Sequence, residues 1–425
     1  MFYIADLHTH SHYAQATSKF LNLETIYQWA QIKGIQVVGT GDFTHPGWCK
    51  ELEEKLEPDG NGLFRLKQPP TSPALPGLKV KDSEVRFCLS TEISSVYTYN
   101  DRVRKNHNLV YAPDLDIVAH INKKLSALAD LASDGRPTIT LPSRDLFELV
   151  LESSDRSYLI PAHAWTPWFS TLGSRGGYDS IGDCFRDLTP ELFALETGLS
   201  SDPAMNWRWS QLDRLTMMSS SDAHSPQKLG REANLFDTEM SYDGLFNAVK
   251  NKTGFLGTYE FFPEEGKYSN DGHRKCNVSL TPEETIRYKG VCPVCGKRLT
   301  IGVMHRVELL ADRKEPQKPE GAADFHYVIP LAEILSEIHG ASTESKKVIS
   351  AYIKAISAFG NEFTVLQQTP VEDIRRFDPM LGEAIHRMRI GNVIRIAGYD
   401  GIFGTIKLFS EAELKKPLQS QMAMF

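Results

Sequence analysis

The sequence predicts an α/β fold: a closed or distorted (β/α) barrel of parallel strands, then a small zinc-binding module, then a mainly helical C-terminal region. Three observations carry that expectation. Short apolar runs of strand length alternate with segments of helical period. Nearly every such run ends in His, Asp or Glu. A quartet, His273-x-x-Cys276 and Cys292-x-x-Cys295, then interrupts the alternation. A doubly wound sheet gathers its site at one switch point. Ligand-type residues at almost every strand end suit the rim of a barrel better.

The elements follow in order. Phe2-Tyr-Ile-Ala5 reads as a buried strand running into Asp6-Leu-His8-Thr-His10. Side chains two apart on a strand share a face, so both imidazoles can reach one metal or two adjacent ones. Leu23 to Lys33 has helical spacing and stops at Gly34. Ile35 to Gly41 is a strand ending at Asp42, and Glu51 to Lys81 is a polar, Pro- and Gly-rich excursion. Val85 to Ser90 runs into Thr91-Glu92, and His107 stands at the entrance of a strand to Ala112. Leu115 to Leu151 reads as mostly helical. Three further strands run into His163, Glu196 and Asp222-Ala-His224. Residues 260–267 read as a linker. Beyond the quartet, Leu331 to Phe359 and Val371 to Arg389 have helical spacing, and the Gly-rich Ala397 to Gly404 joins two short strands as a hairpin. Expected boundaries are 1–262, 263–305, 306–416 and a flexible tail, 417–425.

At 425 residues and 41% hydrophobic content the chain has material for more than one core. No run is long and apolar enough to span a bilayer, and no signal-peptide pattern opens the chain, so a cytoplasmic location is expected. A net charge of −7 argues against binding polyanions with the whole surface. Three clustered cysteines with the rest scattered fit a metal cluster better than a disulfide scaffold.

The rim residues His8, His10, Asp42, Glu92, His107, His163, Asp222 and His224 carry the first chemistry. Their His-to-carboxylate mix suits Zn²⁺, Mn²⁺ or Fe²⁺ over Ca²⁺ or Mg²⁺. Eight ligands exceed what one ion needs, so a centre of two or three metals is expected, with Glu92 as the bridge. Such centres activate water and clamp a phosphoryl group. Asp42 and Asp222 also suit helix N-caps. The quartet His273, Cys276, Cys292, Cys295 has structural-zinc spacing, with His305 a rival fourth ligand. Between Lys267 and Arg306 eight Lys or Arg face three Asp or Glu, an excess that suits a phosphate backbone. Trp165, Trp168, Phe169, Trp207 and Trp209 could stack on an extruded base, although packing explains any single one. Gln421-Met-Ala-Met-Phe425 has the pattern of a sliding-clamp binding peptide.

Asp6-Leu-His-Thr-His10, Gly41-Asp42, Thr91-Glu92, His107, Pro161-Ala-His163 and Ser221-Asp-Ala-His224 resemble the motif series of the PHP (polymerase and histidinol phosphatase) family. That likeness implies a distorted seven-stranded barrel with a polynuclear metal site that hydrolyses phosphoesters. The chain departs from the family at Gly41-Asp42-Phe43, where Thr-Asp-His is usual, and at Ala14 to Lys19, where a further histidine is usual. His163-Ala-Trp-Thr-Pro-Trp168, Glu196-Thr-Gly-Leu-Ser-Ser-Asp202 and Ser219-Ser-Ser-Asp-Ala-His-Ser-Pro226 resemble the endonuclease Q family within it. This implies nicking of DNA on the 5′ side of deaminated bases (uracil, hypoxanthine, xanthine) or abasic sites. It makes Asp202 a candidate catalytic or metal-binding carboxylate beside His163 and Glu92, although Asp202-Pro203 alone reads as a helix start. Glu196 is a ligand or a partner of one. The expected cofactors are Zn²⁺ in the module and at the barrel, with Mg²⁺ or Mn²⁺ for activity. The expected partners are lesion-bearing duplex DNA and a sliding clamp. The rival readings are a phosphomonoesterase acting on a small metabolite and a non-catalytic DNA-binding scaffold.

Overall fold

The computed structural model describes residues 1–78, 80 and 83–415. The expected clamp-binding segment, Gln421 to Phe425, lies outside the described residues, as does the rest of 417–425.

Strand β1 (Phe2–Asp6) lies between parallel β2 (Val37–Gly39) and an antiparallel neighbour, which is why its apolar run is continuous rather than alternating. Helix α1 (Leu23–Lys33) links β1 to β2; Asn22 and Thr25 form its capping box and Gly34 closes it at φ 87°. Helix α2 (Pro46–Lys55) follows β2. The expected excursion then contains an antiparallel pair, β3 (Leu56–Pro58) and β4 (Phe64–Leu66), that extends the sheet.

The next two strands depart most from expectation. Strand β5 (Arg86–Tyr99) runs fourteen residues and pairs in parallel with β2. It turns at Asn100-Asp101, both left-handed at φ 50° and 56°, into antiparallel β6 (Arg102–Ala112). Asn and Asp tolerate that conformation, and a two-residue turn of this kind matches the twist of a hairpin. Glu92 and His107 therefore sit within strands, not at strand ends. The segment read as mostly helical holds α3 (Leu115–Leu125), β7 (Thr138–Ile139) and α4 (Ser143–Ser153).

Strand β8 (Tyr158–Pro161) is antiparallel to β6. After α5 (Ile181–Phe185) come β9 (Ala194–Glu196), α6 (Pro203–Asn206) and β10 (Thr216–Met218), and β9 and β10 pair in parallel. Strand β11 (Ala233–Asp237) is the antiparallel neighbour of β1, and α7 (Tyr242–Asn251) leads to β12 (Phe255–Glu260). The quartet segment folds as β13 (Asp271–His273), β14 (Val278–Leu280) and α8 (Pro282–Arg287). Helix α9 (Val303–Leu310) and β15 (Asp324–Tyr327), parallel to β12, precede α10 (Leu331–His339) and α11 (Lys346–Phe359). The segment from Val371 to Arg389, read as having helical spacing, holds two helices, α12 (Val371–Phe377) and α13 (Pro379–Arg389), divided at Asp378-Pro379. Asp378 caps α13 and proline cannot continue α12. Strands β16 (Ile394–Ile396) and β17 (Thr405–Lys407) form the expected hairpin.

Among the described residues the main sheet has eleven strands in the order β15-β12-β11-β1-β2-β5, continuing from β5 to β4-β3, with β6, β7 and β8 joined beyond β5. The fold is thus mixed α/β; its sheet holds both parallel and antiparallel pairs, where parallel strands alone were expected. Residues 260–267 are not a free linker. The carbonyls of Glu264 and Glu265 accept from Gly398 and Gly404 of the hairpin loop. Among the described residues no helix is long and apolar enough to cross a membrane.

A buried ion pair ties the first helix to the C-terminal helices. Lys33 Nζ lies 2.8 Å from Glu362 Oε2, and Glu362 also accepts from Tyr352 Oη and from Leu331 N at 3.0 Å. Breaking a buried pair leaves an uncompensated charge, so Lys33→Met is expected to lower unfolding stability by about 3–5 kcal/mol. Adding Glu362→Gln should recover much of that loss, measured by urea denaturation of both variants.

Candidate metal centre

The loops after β1, β2 and β10 are stitched together before any ligand is placed. Asp6, fully buried, accepts from Ser221 N at 3.0 Å and Gly230 N at 2.9 Å. Thr9 Oγ1 donates to Gly39 O at 2.7 Å, and Thr9 bridges Ala223. With Thr9 turned into the sheet, His8 and His10 face the opposite way, together.

Two groups of ligand atoms result, each with atoms within 4.8 Å of one another: His8, His10, Glu92 and Asp222, and Glu92, His107 and His163. Glu92 belongs to both. Its Oε1 lies 2.7 Å from His107 Nδ1 and 3.0 Å from His163 Nε2. Its Oε2 lies 3.4 Å from His10 Nε2 and 3.6 Å from His8 Nε2. Asp222 Oδ1 completes the first group at 3.0 Å from His10 Nε2 and 3.6 Å from His8 Nε2. The β5–β6 register, Glu92 opposite Leu109 and Ser94 opposite His107, puts Glu92 and His107 on one face as diagonal neighbours.

The atoms fit metal binding. His8 Nε2 is buried without a hydrogen-bond partner among the described residues, set between two carboxylate oxygens. Its Nδ1 donates to Glu196 at 3.0 Å, and His10 Nδ1 donates to Asp42 at 3.0 Å. A carboxylate at Nδ1 fixes the tautomer and aims the Nε2 lone pair inward. Burial alone would lower the pKa of His8, yet Glu196, Glu92 and Asp222 push it well above the usual range. Asp42 and Asp222 likewise outweigh burial at His10 and raise it to about 9. Carboxylates that outweigh burial at both imidazoles mark a surplus of negative charge, the condition a divalent cation meets. Burial drops His107 to about 4, against the pull of Glu92.

Asp42 and His224 stand outside both groups. The Asp42 carboxylate is taken by His10 and by Ser11 N and Oγ at 2.6 and 2.7 Å. His224 packs its ring 4.7 Å from that of His10, with Nδ1 2.8 Å from the Asp222 carbonyl. Asp202 also belongs to neither group. It caps α6, accepting from Met205 N at 2.8 Å and Tyr327 Oη at 2.5 Å, so its helix-start reading describes its place. Glu196 is the partner of His8 and also accepts from His163 N at 2.9 Å. The sequence reading missed Arg136, whose Nη1 donates to Glu92 Oε2 at 3.1 Å. The signal was Gly135-Arg-Pro137, which interrupts the helical period around it.

In the second cluster His273 Nδ1, Cys276, Cys292 and Cys295 converge, with His273 Nδ1 3.6 Å from Cys295 Sγ. His305 is engaged elsewhere, by Asp271 Oδ2 at 2.5 Å. Of the five aromatics, Trp165, Trp207 and Trp209 are buried in packing, and Trp165 Nε1 donates to Asn206 at 2.7 Å. Trp168 is exposed, and the Phe169 ring lies 4.8 Å from that of His107.

A family model, the MJ0043 C-terminal domain, matches residues 330–392. The uncharacterized protein MJ0043 of Methanocaldococcus jannaschii is 32% identical over 252 residues, 57% of this chain and 31% of that protein, so the chain spans about a third of that relative's length. The crystal structure of the lesion-specific endonuclease PfuEndoQ from Pyrococcus furiosus superposes with a TM-score of 0.85 at 30% identity, covering 100% of both chains. A complex of endonuclease Q with a 27-mer duplex substrate bearing an abasic lesion at the active site gives the same TM-score, 0.85, and identity, 30%, over 99% of this chain and 100% of that one.

Glu92→Ala should strip metal from both histidine groups while the Cys/His cluster keeps its ion, and Cys292→Ser should do the reverse, read as metal-to-protein ratios by mass spectrometry. Glu196→Gln removes only the orienting partner of His8 and should weaken binding at the histidine groups about 10- to 100-fold.

Proposed function

The chain belongs to the endonuclease Q family, and on that premise we propose that it is a metal-dependent DNA-repair endonuclease. Its substrate is duplex DNA with a deaminated base (uracil, hypoxanthine or xanthine) or an abasic site, cut on the 5′ side of the lesion. The observation that carries this reading is the full-length correspondence with a lesion-specific endonuclease, including one held on a lesion-bearing duplex, together with two ligand groups sharing one carboxylate.

In this reading residues 1–262 form a distorted seven-stranded PHP barrel, 263–305 a zinc module, and 306–416 a mainly helical DNA-gripping region. His8, His10, Asp222 and Glu92 hold one divalent ion and Glu92, His107 and His163 a second. Zn²⁺ occupies His273, Cys276, Cys292 and Cys295, and Mg²⁺ or Mn²⁺ supports activity. Bound divalent ions supply an activated water and offset the charge that grows on the phosphoryl oxygens. The protein's part is orientation. Glu196 and Asp42 present the Nε2 atoms of His8 and His10, and Glu92 sets the spacing of the two groups. Phe169, packed on His107, and the neighbouring exposed Trp168 are surfaces for a displaced base. Asp202 is assigned no chemical step.

The test is a labelled duplex carrying one deoxyuridine or deoxyinosine, with Mg²⁺ or Mn²⁺. Wild type should nick immediately 5′ of the lesion and leave undamaged duplex intact. His163→Ala should be slower by about a hundredfold or more. No nick, with phosphate released from a small phosphoester instead, would replace this reading with a phosphomonoesterase.

A further inference from the structure

We infer that Arg136 is a phosphate-binding residue: its guanidinium takes an oxygen of the phosphate that enters the metal centre. The inference deepens the endonuclease reading and rests on it for the identity of the phosphate, a diester.

Arg136 is the sole lysine or arginine in contact with Glu92 among the described residues, and it lies at the boundary of the site. Glu92 is fully buried, whereas the Arg136 side chain is 24% exposed. The guanidinium thus touches a buried carboxylate while part of the side chain stays open to solvent. Arginines with a packing role in this chain spend most of their donors on the protein. Arg306 donates to Leu172 O, Tyr178 O and Asp179. Arg389 donates to the carbonyls of Leu366, Thr369 and Val365. Arg387 donates to Glu383, Leu408 O and Glu413. Among the described residues Arg136 makes a single guanidinium hydrogen bond, to Glu92. The remaining donors of a planar fork, always charged and shaped for phosphate, stay available.

The backbone that carries it is held against the site. Gly135 N donates to Tyr13 O at 3.0 Å, Gly135 O accepts from Thr44 Oγ1 at 3.3 Å, and Arg136 N donates to Asp134 Oδ1 at 3.1 Å. Ser94 N donates to Pro137 O at 3.0 Å, and β7 then pairs with β5. A Cβ on Gly135 would sit 2.5 Å from Asp42 Oδ2. A loop pressed this closely on the ligand partners sets its guanidinium in place before substrate arrives. A counter-ion for Glu92 alone would need neither the open donors nor the exposed edge.

The test compares wild type, Arg136→Gln and Arg136→Lys, each loaded with Mn²⁺, in titration calorimetry with inorganic phosphate. The Gln variant should bind phosphate about tenfold to a hundredfold more weakly, as expected for loss of a charge-assisted hydrogen bond, with the Lys variant between. Metal content and thermal midpoint should match wild type. Equal phosphate affinity in the Gln variant, no measurable phosphate binding by wild type, or loss of metal alongside loss of phosphate would each overturn the assignment, the last making Arg136 a counter-ion of Glu92. Nicking of the lesion duplex is measured in parallel. If wild type nicks and the Gln variant nicks equally well, this inference alone fails. If phosphate binding depends on Arg136 but no duplex is nicked, the endonuclease reading alone fails.

Discussion

A carboxylate with no exposed surface, that of Glu92, governs this structure. Burial opposes its charge, yet the His107 and His8 side chains hold it well below the usual carboxylate range. A buried anion is tolerable only when its lone pairs are met, and here His163 and Arg136 donate to Glu92, His107 Nδ1 lies 2.7 Å away, and the His10 and His8 imidazoles stand at 3.4 and 3.6 Å. Because each oxygen serves a different set, the position of the side chain fixes the spacing of the two ligand groups. That position is in turn set by a fourteen-residue strand paired on both sides.

The residues around Glu92 reach it through unfavourable backbone. Asp42, His163 and Asp222 adopt φ of 51°, 28° and 47°. Such conformations cost about 1–3 kcal/mol each and persist where the surroundings over-determine them. The surroundings do so here through the Ser11 and His10 bonds to Asp42, the Arg231 donors on the Ser221 and Asp222 carbonyls, and Gly198 beneath His163. A Cβ at Gly198 would lie 2.4 Å from that of His163, so glycine there is a condition of the histidine's position.

The later parts of the chain are fastened to the same body. Arg306 reaches back to the carbonyls of Leu172 and Tyr178, close in sequence to the Trp168–Phe169 turn. Asp400, in the hairpin loop, accepts from Arg274 N and Thr300 Oγ1 of the Cys/His segment at 2.6 and 2.7 Å. Lys33 and Glu362 join the first helix to the C-terminal helices. These contacts fasten the Cys/His segment, the hairpin and the C-terminal helices to the body that carries the candidate metal centre.

What the sequence determined by itself is local: apolar runs, caps and ligand spacing. The β1 strand, α1 with its Asn22 cap and Gly34 stop, and the Cys/His quartet were legible because each depends on residues within a few positions. His8, His10, His163 and Asp222 were legible because each follows the end of an apolar run, whereas Glu92 and His107 lie inside β5 and β6. The tertiary structure decided what pairs with what. The antiparallel turn at Asn100-Asp101 puts His107 beside Glu92, and strand direction is not written in an apolar run. Asp42 proved to be the support of His10, Glu196 the support of His8 and Asp202 a helix cap, because one carboxylate suits all these roles and only its neighbours choose. Arg136 was invisible for the same reason: its meaning lies in a contact with Glu92, forty-four positions away, that packing alone creates.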